Sequence, residues 1–385
     1  SKIKKMDTTI ICNYDNISAN YSLTNTFTAT GLYGKGHGFT NFWGKYNQEN
    51  GPSRSFMLGL NYDLGKRAPN GANLTDNFSQ NNALDFRTSR TLFENVNLEL
   101  NWRVNWTFNK VTTFKTNANS DVAITNISTS GTLQRSFISL PPVGFLKVFK
   151  SGIDYVKENY VGSDDPRVSL QNLSNAFEKG FESMPILSKF GLQNIAKYLP
   201  QANWRISWSG LEKFFLFKSF TQRVSLNHAY NSTYNEAWRI TPQDYKEVSS
   251  QKVNYGFAPL AELDMTFNQL WRGNLSGRIR YNTNTSYDLS VNSRNITENV
   301  SNEFGFSLNY SKNGFNLPFL GLNLRNDIDF NFSYSRTANE SFIYDFTPGR
   351  TSTEGTSQDG SVRTTLEART NYKVSTMVTI SIFYS

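Results

Sequence analysis

The sequence predicts an all-β protein, namely the wall of a transmembrane antiparallel β-barrel with a small α-helical insert. Three observations carry this prediction. Apolar and polar residues alternate over long runs, which is typical of strands with one dry and one wet face. No stretch approaches the roughly 18 apolar residues of a membrane-spanning helix, so a membrane crossing would have to use strands. The alternation breaks over residues 139–202, where apolar residues recur at helical spacing.

The longest alternation begins at Val96, and from there every second residue up to Phe108 is apolar while the residues between are polar. Similar runs cover residues 275–291 and 322–334. Shorter runs cover residues 56–64, 204–208, 224–230 and 378–384. Strands of soluble proteins are mostly about 5–6 residues long, whereas a membrane strand needs about 9–11. The long runs therefore favour a barrel that projects beyond the bilayer over a soluble β-sandwich.

The connections between strands also favour an outer-membrane barrel. Compact turns are expected at 93–95, 210–213, 269–273, 318–321 and 374–376. Long polar loops are expected at 232–252, 292–302 and 336–360. Short turns at one rim and long loops at the other are the pattern of such barrels. The alternation of short and long connections slips across residues 139–202, so either a strand is hidden near 109–137 or this segment returns the chain to the opposite rim. The strand count comes to about 13, whereas single-chain bacterial barrels have even numbers, so we expect the chain to form part of a very large barrel.

The two faces of the strands predict two different environments. An arginine exposed to lipid at mid-bilayer would cost roughly 2–4 kcal/mol, so the polar face is expected to meet water. The side chains predicted to line the lumen are Arg103, Asn105, Arg278, Arg280, Asn282, Asn284, Arg325, Asp327 and Asp329. Aromatic residues of the apolar face are expected to form girdles at the lipid interface, or alternatively the core of a sandwich. These aromatic residues are Trp102, Trp106, Trp204, Trp208, Tyr281, Tyr287 and Tyr334.

The break in the pattern divides the chain into barrel strands at 1–138, a helical insert at 139–202 and barrel strands at 203–385. Within the insert, helical spacing is expected over 145–160. A second helix follows Asp165 and Pro166, which suit the N-cap and the first turn, and a third is expected over 183–199. The insert is expected to act as a packed cap or brace, or alternatively as a docking surface or a gate for the lumen.

Charge and composition argue against other classes of function. The net charge is +8, but Lys and Arg are scattered rather than gathered into a stripe, so no nucleic-acid partner is expected. With only His37, His228 and the single cysteine Cys12, we expect no metal site, no cofactor and no catalytic residue. The glycines beside His37 lack the flanking strand, helix and Gly-Lys-Ser/Thr of a phosphate-binding loop. The chain is therefore not expected to be an enzyme.

Several stretches resemble one family of outer-membrane proteins. The most specific are 317–330 and 364–369, the latter leading into Tyr372 and the strand at 378–384. The entry to the insert at 139–142 and the strand at 98–104 add to the likeness. Together they resemble the C-terminal part of the SprA/Sov family, the outer-membrane translocons of the Bacteroidota type IX secretion system.

This resemblance implies a location in the cell outer membrane and a single barrel of about 36 strands. The chain would supply about a third of that barrel wall, and the remaining N-terminal part of the same translocon would supply the rest. The lumen of such a translocon passes folded cargo with a C-terminal secretion signal, including the adhesins of gliding species. A lateral opening toward the membrane lipid receives a PorV-type shuttle barrel or a plug protein in turn.

Two other functions stay open at this point. One is a self-contained outer-membrane porin or hydrophobic-compound transporter of about 14 strands. The other is a soluble surface adhesin built of β-sandwiches, in which the Trp102 side of the strands would pack against a second sheet. A polysaccharide-degrading enzyme is less favoured, because no carboxylate pair can be identified.

Overall fold

The computed structural model describes residues 16–33, 52, 54–62, 66–138, 152–182, 201–269, 272–317, 322–347, 354–374 and 377–384. All 12 described strands belong to one antiparallel sheet, so the prediction of an all-β chain is confirmed. The strands are β1 (Asn16–Ala29), β2 (Leu74–Phe93), β3 (Val96–Thr116), β4 (Val122–Arg135), β5 (Asn203–Ser209), β6 (Thr221–Ile240), β7 (Lys246–Phe267), β8 (Asn274–Ser290), β9 (Asn295–Leu317), β10 (Leu322–Asp345), β11 (Thr356–Lys373) and β12 (Thr379–Tyr384). The helices are α1 (Arg54–Met57), α2 (Gly152–Asn159) and α3 (Pro166–Glu182).

Consecutive strands are neighbours in the sheet, except at one split position. The order is β1-β2-β3-β4-β6-β7-β8-β9-β10-β11-β12, while β5 pairs with both β3 and β6. Thus β4 pairs with residues 104–116 of β3, and β5 pairs with residues 96–101 of the same strand. The chain leaves this position after Arg135 and returns to it at Asn203. The insert is therefore rooted in the middle of the sheet, between two halves of one interrupted strand.

Two of the described segments differ from a simple reading of the alternation. β4 is the strand that one alternative expected near 109–137, and it shows no clear alternation because polar residues occupy both of its faces. The predicted strand at 56–64 is wrong, because α1 and a turn occupy its described residues. The rings of Phe56 and Tyr62 pack against Phe27 of β1, with centroids 5.7 and 5.3 Å away. Their apolar character thus serves packing onto the sheet rather than a strand of their own.

The long polar loops predicted at 232–252 and 292–302 are also wrong, and the loop predicted at 336–360 is shortened because β10 continues to Asp345 and β11 begins at Thr356. β6 continues to Ile240 and β7 begins at Lys246, so the connection between them is a short turn. The connection between β8 and β9 is equally short. In these segments both faces of the strands carry polar residues, so the strands lack the alternation by which the others are recognised. The predicted contrast between a rim of short turns and a rim of long loops does not hold at these two connections.

The helical insert is present within 152–182, and its predicted N-cap is confirmed. The Asp165 carboxylate accepts a hydrogen bond from the backbone N–H of Arg167 at 2.8 Å, which satisfies one free amide at the start of α3. Helices α2 and α3 cross closely at Gly180, where an added Cβ would lie 2.6 Å from Val156 Cγ2. The predicted third helix, over 183–199, lies outside the described residues.

The main core lies between this insert and one face of the sheet. Phe177 and Phe181 of α3 are buried, as is Val156 of α2. The Phe181 ring packs against Tyr287 of β8, with centroids 4.8 Å apart, and against Tyr255 of β7 at 6.2 Å. Helices α2 and α3 therefore brace the second half of the sheet from one side.

Candidate functional site

One face of the sheet carries a continuous row of apolar side chains that runs across eight strands. We call this face, which includes Trp102 and Ile279, the apolar face. Each member of the row is the direct register partner of the next. In order from β3 to β11 the row is Val96, Trp208, Leu226, Leu263, Ile279, Phe306, Tyr334 and Leu366. No described residue forms a second sheet over this row, and no member of it belongs to the main core.

The neighbouring row, one residue further along each strand, is polar throughout. We call this opposite side, which includes Arg103 and Arg280, the polar face. Its members are again register partners in the sheet. From β5 to β11 they are Ser209, Ser225, Asp264, Arg278, Ser307, Ser333 and Glu367. The two rows together give this part of the sheet one apolar surface and one polar surface.

Ion pairs on the polar face join neighbouring strands. Arg103 contacts Asp85 at 2.7 Å, and Arg278 contacts Asp264 at 2.5 Å. These pairs are exposed, so each contributes only about 0–1 kcal/mol to stability. They leave the face charged yet close to balanced in sign, which suits a surface in contact with water.

The polar face is also the concave side of the first part of the sheet. A concavity of about 900 Å³ opens on it. Its lining includes Asn20 of β1, Arg103 of β3 and Asp288 of β8, so the sheet curves around it from β1 to β8. The polar side of the sheet is thus the inner side of a curved wall.

The apolar residues form a belt that runs obliquely across the strands. On β3 they continue from Val96 as far as Phe108, whereas on β10 the exposed Arg336 follows Tyr334 and ends the run. The pairing of residues across the sheet shows that the apolar segment of β3 is shifted along the strand axis relative to that of β10. The shift is in the N- to C-terminal direction of β3. A belt parallel to a membrane would look like this if the strands were tilted, and strands of transmembrane barrels are tilted by about 35–45°.

Beyond the belt, the apolar face of β6 to β10 carries polar groups and is covered by the insert. The buried carboxylate of Glu298 accepts hydrogen bonds from the hydroxyls of Tyr287 and Tyr344, at 2.5 and 2.6 Å. Glu236 accepts the Tyr234 hydroxyl at 2.9 Å. Hydrocarbon would be a costly environment for such groups, which distinguishes this second zone of the face from the apolar belt.

The predicted lumen residues share one face wherever the structure describes their side chains. Arg280 pairs with Glu303 at 2.6 Å, and Asn282 donates to the same carboxylate at 3.0 Å. Asn105 donates to Gln134 at 3.0 Å. Arg103, Arg278, Asn284, Asp327 and Asp329 also lie on the polar face. Arg325 lies outside the described side chains.

The predicted girdle residues occupy several positions on the apolar face. Trp208 and Tyr334 belong to the continuous row, and Tyr281 is the register partner of Phe304 beside it. Trp102 stacks on Phe86 with centroids 5.4 Å apart. Trp204 stacks on Tyr230 at 4.3 Å at the base of the insert, and Trp106 is partly exposed on β3.

Tyr287 needs correction. Its side chain is 0% exposed, and the Phe181 ring covers it. It therefore cannot contact a lipid headgroup. Its position in the alternation correctly predicts the face of the sheet on which Tyr287 lies. The helix that covers this part of the face is more than 100 residues away in the sequence, so the alternation does not reveal it.

Two functional features were missed by sequence reasoning. One is the buried group of tyrosines around Glu298, for which the sequence offers no local signal because its members lie on different strands. The other is the run Phe214-Phe215-Leu216-Phe217 between β5 and β6, which could have been noticed as an apolar run directly after the turn predicted at 210–213. Beside it, the pKa of Glu212 is lowered because its carboxylate accepts a hydrogen bond from the backbone N–H of Val224.

Within the described residues, no cluster of His, Cys, Asp and Glu is arranged to hold a metal ion. None of the described helices is both long enough and apolar enough to cross a membrane. Comparison with known proteins finds no matching family model and no matching curated sequence. The two-faced, curved wall is therefore the feature on which a function must be argued.

Proposed function

We propose that this chain forms part of the wall of an outer-membrane pore, with the apolar belt against lipid and the polar face lining an aqueous lumen. One observation carries the proposal. Adjacent rows of register partners, one wholly apolar and one wholly polar, cross most of the sheet. A soluble protein would have to cover the first row, and hydrocarbon is the covering that suits it best.

The shape of the wall supports the same reading. The polar face lies on the concave side, where water would be enclosed. The belt crosses the strands obliquely, as expected for tilted strands in a flat membrane. Polar and ionic side chains on a lumen wall cost little because water solvates them, whereas arginine at mid-bilayer costs roughly 2–4 kcal/mol.

A more specific proposal is that this pore exports proteins. It rests on the resemblance of stretches such as 317–330 and 364–369 to the SprA/Sov translocons. The cargo would be folded proteins with a C-terminal signal, gliding adhesins among them. The partners would be a PorV-type shuttle barrel, a plug protein and the N-terminal part of the translocon. No cofactor and no catalytic step are needed, because export of this kind relies on the size and wetting of the pore.

A porin or hydrophobic-compound transporter is the second candidate, because it would use the same two faces. Depletion of the protein in its host separates the two. Protein export predicts that proteins with the C-terminal signal accumulate in the periplasm. Unchanged secretion together with altered uptake of small compounds would favour the transporter and would count against protein export.

The assignment of faces can be tested at two residues that lie on opposite faces of β3. Leu100→Arg places a charge in the belt and should impair membrane insertion, at a cost of roughly 2–4 kcal/mol. Arg103→Leu removes an exposed ion pair with Asp85, worth about 0–1 kcal/mol, and should leave insertion intact. The measurement is the fraction of each variant that inserts into lipid vesicles and becomes protease-resistant. Equal tolerance at both positions would refute the assignment.

A further inference from the structure

The connection between β5 and β6 exposes several large apolar side chains. Phe215 is 84% exposed and Leu216 is 62% exposed, while Phe214 and Phe220 are each almost half exposed. We propose that residues 214–220, which we call the aromatic turn, insert into the lipid interface at this rim and anchor the wall there. This inference rests on the proposed function, because it requires the belt to lie in a membrane.

The aromatic turn extends the apolar belt beyond the ends of the strands. The ring of Phe214 packs edge-on against Trp208, a member of the continuous row, with centroids 5.6 Å apart. Phe220 stacks on Phe267 at 6.1 Å. Phe267 in turn lies on the apolar face, because its ring is 3.4 Å from the position that a Cβ would take at Gly277. If the belt lies in hydrocarbon, the aromatic turn lies at its edge.

The backbone of the aromatic turn is already hydrogen-bonded internally. The carbonyl of Phe214 accepts from the N–H groups of Phe217 and Lys218, at 3.0 and 2.9 Å. The carbonyl of Phe217 accepts from Phe220 and Thr221, at 3.1 and 3.0 Å. Unsatisfied backbone groups are what usually keep irregular segments out of lipid. These four bonds lower that cost for the turn.

The charges around the turn suit a boundary between lipid and water. Lys213 and Lys218 bracket the apolar run, and a lysine can bury its carbon chain while its ammonium reaches the headgroups. The nearby carboxylate of Glu212 points back into the protein, where it accepts the Val224 N–H at 3.0 Å. Aromatic residues flanked by lysine are typical of membrane–water interfaces.

A protein partner could cover the same patch, since exposed apolar patches also mark protein interfaces. The experiment must therefore detect lipid itself. In the full chain with Cys12, its only cysteine, replaced by serine, Phe215→Cys is labelled with the environment-sensitive dye NBD. The protein is reconstituted into phosphatidylcholine–phosphatidylglycerol vesicles with or without brominated acyl chains. Insertion predicts a blue-shifted NBD emission that is quenched by the brominated lipid.

Three matched positions make the result decisive. Leu216→Cys provides a second site in the aromatic turn and should behave as Phe215→Cys does. Gln243→Cys lies in the exposed turn between β6 and β7, at the opposite ends of the strands, and should not be quenched. Leu308→Cys lies in the belt on β9 and tests the proposed function by itself. Far-ultraviolet circular dichroism confirms that each labelled variant is folded.

The outcomes separate the two claims. Quenching at Leu308 and at both turn positions supports the anchor. Quenching at Leu308 alone overturns the anchor and leaves the proposed function standing. A blue shift at Phe215 without bromine quenching also overturns it, because the turn would then contact protein. Absence of quenching at all positions refutes the proposed function together with the anchor.

Discussion

The attachment of the helical insert to the wall can be tested with one substitution, Phe181→Ala. The Phe181 ring is 1% exposed and packs against Phe177 and Tyr287, each at a centroid distance of 4.8 Å, and against Tyr255. Truncation of a buried phenylalanine costs about 3–5 kcal/mol. Because the lost contacts join α3 to the sheet, we expect the cost to fall on the local opening of the insert rather than on the strands.

This cost translates into a large change in amide exchange. A loss of about 3–5 kcal/mol corresponds to a factor of roughly 10² to 4 × 10³ in the opening equilibrium. Hydrogen–deuterium exchange of the purified protein in detergent should therefore accelerate by about that factor in peptides from α3. Peptides from β9 should exchange as in the unmodified protein.

Phe215→Ala is the matched control, since it makes the same change at a side chain that is 84% exposed. It should leave exchange in α3 unchanged. Equal acceleration in the two variants would refute the packing argument. Acceleration spread over α3 and β9 together would instead mean that the insert and the wall open as a single unit.

Two further predictions concern the buried carboxylate and the helix cap. Glu298→Ala leaves the hydroxyls of Tyr287 and Tyr344 buried without their acceptor, which costs about 1–3 kcal/mol of stability each. Glu298→Gln keeps an acceptor oxygen and should lose less stability. Chemical denaturation of the two variants measures this order. If Gln and Ala are equally destabilising, the hydrogen bonds are not the cause. Asp165→Ala should destabilise α3 by about 0.5–2 kcal/mol, and Asp165→Asn should destabilise it less. The measurement is hydrogen–deuterium exchange in the first turn of α3. Identical exchange in both variants would contradict the cap.

The sequence predicted strands well wherever one face is apolar and the other polar. Val96 was identified as the start of an alternation, and β3 begins there. The alternation at 204–208 lies within β5. In such strands the period of two also fixes the face of each side chain. This is why Arg103 and Arg280 could be assigned to one face without any knowledge of tertiary contacts.

Prediction failed where the apolar face stops being apolar. Gln251 and Glu298 occupy that face on β7 and β9, with their backbones paired as in any strand. The local pattern of hydrophobic residues then distinguishes neither face, so the sequence predicts polar loops in these segments. What stabilises them is the insert, and its contacts join residues far apart in the chain, as between Phe181 and Tyr287. A single sequence read by its local period cannot supply such contacts.

The interrupted strand, made of β4 and β5, separates two parts of the apolar face that differ in polarity. Its β5 half places Trp204, Ile206 and Trp208 on the apolar face, whereas its β4 half ends in Arg135 on that face. The chain leaves the sheet at the point where this face changes between polar and apolar. The gap between β4 and β5 is bridged by a hydrogen bond of 2.8 Å from the Ser136 hydroxyl to the carbonyl of Gln201.

On the β6–β10 side of that gap, the insert supplies the second layer that a sheet face requires. Over the apolar belt, to which β5 contributes, the described chain supplies no such layer, and Phe304 of β9 is 40% exposed there. A chain that builds its own cover over half of a face has no reason to leave the other half bare in water. The proposed hydrocarbon cover over the belt would account for both halves, because lipid would replace the missing layer only where the face is apolar.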